Sequence, residues 1–123
     1  MIKTLIWVGL GGGIGSILRY LAGLWIYRNF PTAFPLGTFV VNVLGGFLIG
    51  LLTAVFTRGL WPESDIRLFL ITGLCGGFTT FSAFSMENLK LIQEQQFVLA
   101  SCYMMASLFV GLLATWTGYL LIK

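Results

Sequence analysis

The side chains of this sequence that can do polar chemistry are nearly all neutral, and they stand inside long uncharged stretches. Thr38, Asn42, Thr79, Thr80, Ser82, Ser85, Tyr103 and Ser107 offer hydroxyl and amide groups, and Arg19 is a cation with apolar runs on both sides. No histidine occurs, and of the carboxylates Glu63, Asp65, Glu87 and Glu94 only Glu87 approaches this set. Proton-coupled carriers need a buried acid or imidazole to titrate, and the pattern supplies none in the interior of a stretch. Neutral donors suit a small, hard anion instead, and so do the weakly positive ring edges of Phe81 and Phe84, which are three residues apart and share a helix face.

Each of these residues also has a plainer reading that the sequence leaves open. Asn42 either joins two helices or faces a solute, because an unpaired amide in an apolar setting is costly. Arg19 either snorkels to an interface or lines an electropositive vestibule. Phe81 and Phe84 either pack or present their edges. Tyr103, Ser107 and Gly111, spaced four apart, form either a packing face or a polar stripe. In Gly76-Gly77-Phe78-Thr79-Thr80, paired glycines and β-branched threonines make poor helix interior. The interruption expected there either frees carbonyls for a cation and a half-helix N-terminus for an anion, or is a kink that satisfies itself.

These residues need elements to hold them, and the charge distribution counts those elements. Only 11 of 123 residues are charged, 7 basic and 4 acidic, against 58% hydrophobic. A soluble domain of this size cannot hide such a surplus. Residues 4–18, 29–57, 68–86 and 95–122 are free of charge, and a helix crossing the hydrocarbon layer needs about 20 residues. The expectation is an all-α membrane protein, one four-helix domain over residues 1–123 with spans at about 4–27, 36–57, 66–89 and 97–122. The third span reads as an ordinary apolar helix up to Leu74, with its break near the membrane midplane. Spans two and three are expected as antiparallel neighbours, and Gly11 and Gly15 as a small-residue pair that lets a neighbouring backbone approach.

Cys75 and Cys102 lie in apolar tracts and read as small hydrophobes. Without a basic cluster, no nucleic-acid partner is expected. With the N-terminus inside, that side receives Lys3, Arg58, Arg67 and Lys123, and the other receives Arg28, Lys90 and the nearby Arg19. So weak a bias fits a chain that inserts both ways and pairs antiparallel with itself. Four helices barely enclose an aqueous path, which also argues for an oligomer in the bilayer.

The segment Gly73-Leu74-Cys75-Gly76-Gly77-Phe78-Thr79-Thr80-Phe81-Ser82-Ala83-Phe84-Ser85, with Gly37-Thr38-Phe39-Val40-Val41-Asn42-Val43-Leu44-Gly45 and Gly15-Ser16-Ile17-Leu18-Arg19-Tyr20 upstream, resembles the small bacterial fluoride channel family, also called CrcB or Fluc. The resemblance runs over essentially the whole chain. It implies an ion channel rather than an enzyme, a multi-pass protein of the bacterial inner membrane exporting fluoride passively. It further implies an antiparallel, dual-topology homodimer with two pores, and a structural sodium ion held at the dimer interface by the backbone carbonyls of Gly76 and Thr79. By the same resemblance Phe81 and Phe84 flank the pores, Asn42 is a pore residue, Tyr103 and Ser107 form the polar side of the fourth helix, and Arg19 belongs to a vestibule. Thr38, Thr80 and Ser82 complete the expected anion pathway. Gly111 stands where some relatives carry a further serine, and Glu87 matches a vestibule acid without an assigned role. The rival classes are a small proton-coupled multidrug exporter, which would need an acid in its first helix, and a non-transport membrane assembly protein.

Overall fold

Backbone amides in lipid have no water to bond, so an uncharged run of this length must satisfy them within its own segment. A computed structural model of the chain describes residues 1–62 and 64–122, and among them the regular elements are all helical. Four helical stretches are long and apolar enough to cross a membrane: Ile2–Asn29, Leu36–Thr57, Asp65–Gln93 and Phe97–Leu121. The first is α1 and the second α2. The third is bent and composite, made of α3 (Asp65–Arg67), a π-helix (Leu68–Cys75), α4 (Gly76–Phe78) and α5 (Phe81–Gln93). The fourth is α6.

The connections follow from local chemistry. Pro31 and Pro35 fall between α1 and α2, where neither ring interrupts a helical bond. At the end of α2, Gly59 takes φ +72° while its N–H donates to Phe56 and that of Leu60 to Val55. These paired bonds close the helix in a Schellman motif, which needs a left-handed residue at this place. Gln95 does the same work after α5 with φ +59°, the N–H groups of Gln95 and Gln96 donating to Ile92 and Leu91. Ser64 opens α3 by accepting from the Ile66 N–H.

Two seams of backbone contact organise the bundle. Along the first, α1 lies on the π-helix and α4, and a methyl group added at Gly11 or Gly15 would overlap the carbonyl oxygens of Phe69 or Leu74. The expected small-residue pair is thus a real close approach, answered from the other side by Gly73 and Gly77 against Val8 and Gly12. Along the second, α2 lies on α6, with Gly50 against the Thr115 carbonyl and Gly118 against that of Phe47. The principal neighbour of α2 is therefore α6, and its contact with the third span is smaller than the expected side-by-side pairing. Gly15→Ala should destabilise the first seam by about 1–3 kcal/mol, because the facing atoms are backbone and cannot rotate away. Thermal unfolding of the purified protein measures this, and an unchanged midpoint would mean that the helices separate at no cost.

The third span departs from the ordinary helix expected up to Leu74, since Leu68–Cys75 is wound as a π-helix. Within the expected interruption, residues 76–80, the two glycines remain helical in α4. The extended residues are Thr79 (ψ 155°) and Thr80 (φ −149°, ψ 120°). The reason lies in side chains that capture the backbone. The Thr80 N–H donates to Asn42 Oδ1, and the Thr80 hydroxyl accepts from the Ala83 N–H as the N-cap of α5.

Candidate functional site

The interruption is built by α2 as much as by the third span itself. Asn42, half-buried on α2, exchanges two hydrogen bonds with one residue: its Nδ2 donates to the Thr80 carbonyl at 3.0 Å, and its Oδ1 accepts from the Thr80 N–H at 2.7 Å. Asn42 therefore does join two helices, and it also borders a cavity. Thr79 turns its hydroxyl back onto the Cys75 carbonyl at 3.0 Å, where its own N–H also donates. Ser82 is exposed and lies 3.2 Å from the Thr80 hydroxyl.

Diverting these amides changes the status of particular carbonyls. In a continuous helix the Thr80 N–H would bond the Gly76 carbonyl, and the Ala83 N–H would bond that of Thr79. Both donors are taken elsewhere, so the Gly76 and Thr79 carbonyls lose their helical partners. The next carbonyl, Gly77, accepts from Arg19 Nε at 3.1 Å. Arg19 is half-buried there, beside a cavity of 270 Å³ that Thr38, Val41 and Thr80 also line.

On the other side of the interruption lies a larger cavity of 560 Å³, lined by Asn42, Thr79, Thr80, Phe81, Phe84 and Ser107 among others. The Phe81 and Phe84 rings are 5.7 Å apart at a 40° tilt, so the expected shared face exists. The Ser107 hydroxyl is buried and has no hydrogen-bond partner among the described residues. Gly111 continues this wall.

Tyr103 does not reach that cavity. It is fully buried under Phe34, Phe39 and Phe84, and its hydroxyl donates to Glu87 Oε1 at 2.8 Å. Thr38 donates to the other oxygen, Oε2, at 2.7 Å. Glu87 thus gathers two of the expected pathway residues, a role that sequence reasoning left unassigned. Its position seven residues after Thr80 on α5 was the available signal, since two turns of helix keep it on the same face. Glu87 and Thr38 border a third cavity of 350 Å³, together with Lys90. Phe84 stands between the two groups, its ring 5.0 Å from Tyr103.

The predicted residues therefore form two clusters joined through Phe84. One is a chamber of aromatic rings, hydroxyls and an amide; the other is a carboxylate that accepts from two hydroxyl donors. Among the described residues no group of histidine, cysteine and carboxylate side chains is placed to hold a metal ion.

Comparison with known proteins agrees with this architecture. Residues 6–119 match the family described as CrcB-like protein, Camphor Resistance (CrcB). The chain is 49% identical over 121 residues, 98% of each chain, to the "Fluoride-specific ion channel FluC" of Flavobacterium psychrophilum. Similar proteins of the same name from Gloeothece citriformis and Rhizobium meliloti are 47% and 44% identical over 116 residues, 94% of this chain and 94% and 93% of theirs. Four membrane-length helices, the Asn42–Thr80 exchange and this match over nearly the full length lead to one assignment: the chain belongs to the CrcB family.

Proposed function

We propose that this protein is a fluoride-selective channel, passing fluoride passively and electrogenically out of the cell across the bacterial inner membrane. The observation that carries the reading is the polarity of the larger chamber. Asn42 Oδ1 already accepts from the Thr80 N–H, while the second N–H of the Asn42 amide and the Ser107 hydroxyl can donate to a solute. With the ring edges of Phe81 and Phe84 on the same wall, the chamber favours a small anion over a cation. The relatives' name, "Fluoride-specific ion channel", points the same way.

The assembly belongs to the proposal as well. Phe81 is 77% exposed on the single chain and Gly76 is exposed, so a second, antiparallel copy crossing here would complete both faces and give two pores. The third span, broken near the midplane, would bring Gly76 and Thr79 of each copy to the dimer interface. Their carbonyls, relieved of helical donors, are hard oxygen ligands of the kind that suits sodium. The Gly76 and Thr79 carbonyls would hold such an ion, which would supply positive charge between the crossed helices, and Asn42 and Thr80 keep these carbonyls free by diverting the Thr80 and Ala83 N–H groups.

Liposomes containing the purified protein and loaded with potassium fluoride should release fluoride when valinomycin carries the counter-charge. Chloride-loaded liposomes should not release their anion. Comparable efflux of the two anions would end the selectivity claim, and efflux requiring a pH gradient would favour a proton-coupled exporter.

A further inference from the structure

Resting on the sodium reading above, we infer that Arg19 is a positioning residue that takes the Gly77 carbonyl out of reach and thereby leaves the cation cage to Gly76 and Thr79. The interruption releases a run of consecutive carbonyls from Gly76 to Thr79, and Arg19 withdraws one of them from the run. Thr80 N–H and Ala83 N–H are diverted, which frees Gly76 and Thr79. The Gly77 carbonyl would be freed in the same way, because Phe81 begins a new helix, but Arg19 Nε holds it at 3.1 Å from the α1 side.

The chemistry of the pair is favourable. Gly77 lies in α4, at the C-terminal and hence negative end of the first half-helix, where a cation is stabilising. A guanidinium always carries its charge and presents donors in a rigid fork. Arg19 is also anchored where it can act as a fixed support, four residues beyond Gly15 on the helix whose backbone is pressed against Leu74 and Phe78. Arg19 joins α1 to the interruption by its side chain, and Asn42 joins it from α2. The two tethers pull on adjacent parts of the segment from opposite helices.

The test is sodium-dependent stability of the purified dimer, read as the thermal unfolding midpoint while sodium replaces N-methylglucamine at constant ionic strength. Wild-type protein should be stabilised by sodium. Arg19→Met keeps much of the stem but loses the donor, and should raise the sodium concentration for half-maximal stabilisation about tenfold, the scale of one hydrogen bond to a charged group. Arg19→Lys, with charge and a donor but no fork, should lie between. Fluoride efflux measured in parallel separates the vestibule role: lowered flux in Arg19→Met with an unchanged sodium midpoint would overturn this inference and leave Arg19 as an attractor of anions. Should Arg19→Met yield no dimer, Arg19→Lys decides by the same criterion. A wild-type dimer indifferent to sodium would overturn the sodium reading itself, and this inference with it.

Discussion

Replacing both Phe81 and Phe84 by isoleucine is expected to slow fluoride efflux about a hundredfold while the dimer persists. The exchange removes two aromatic rings that line the chamber but retains apolar volume, and such swaps usually cost less than about 1.5 kcal/mol in stability. A loss of ~2.7 kcal/mol at the barrier is a hundredfold in rate. The two rings are unequal in their surroundings. Phe84 packs against Tyr103, so Phe84→Ile also loosens the aromatic cluster around it, whereas the exposed Phe81 ring has little to lose within its own chain. Efflux from liposomes, set beside the elution of the variant on size exclusion, is the measurement. Near-native flux from a dimeric double variant would make the rings structural and leave Asn42 and Ser107 as the pathway.

The second large effect belongs to Asn42. Asn42→Ala strips the partner from both the Thr80 N–H and its carbonyl, and each group left unpaired away from water costs about 1–3 kcal/mol. It also removes the spare amide donor of the chamber, so flux should fall about a hundredfold as stability falls. Asn42→Asp separates these roles. A carboxylate still accepts from the Thr80 N–H, but it offers no donor and sets a negative charge on the anion's route. The Asp variant keeps the bond from the Thr80 N–H that the Ala variant loses, and should conduct no better. Wild-type flux through the Asp variant would remove Asn42 from the pathway and leave it only a clamp.

The span count was legible because charge is excluded from hydrocarbon, and eleven charged residues suffice to partition this chain. The glycine seam of α1 was legible for a similar reason, since Gly11 and Gly15 recur on one face and small residues there permit backbone contact. Helical geometry was expected to fail within residues 76–80, and inside that stretch it fails at the threonines. Local propensity counts what Gly76 and Gly77 would rather not do, but the outcome is decided by Asn42, thirty-eight residues away, capturing the Thr80 amide. The π-helix was invisible in the same way: Leu68–Cys75 has an ordinary apolar composition, and its winding follows from the seam it must fit. In the candidate site, residue types announced donors without revealing which donors are spent. Tyr103 and Thr38 both give their hydroxyl protons to Glu87, and only the fold brings that acid to them.

The π-helix has an evolutionary consequence. A helix bonded i to i+5 carries more residues per turn than an α-helix, so Leu68–Cys75 behaves as a stored insertion in the third span. Deleting one residue there would invite ordinary winding, yet it would rotate Gly73 away from α1 relative to Gly77 and set a side chain against backbone. Length changes in descendants of this chain should therefore collect in the connection between α2 and α3, where Gly59 faces open space, and spare residues 68–77. Gaps in an alignment would then mark the boundary of the interlocked backbone as clearly as substitutions would.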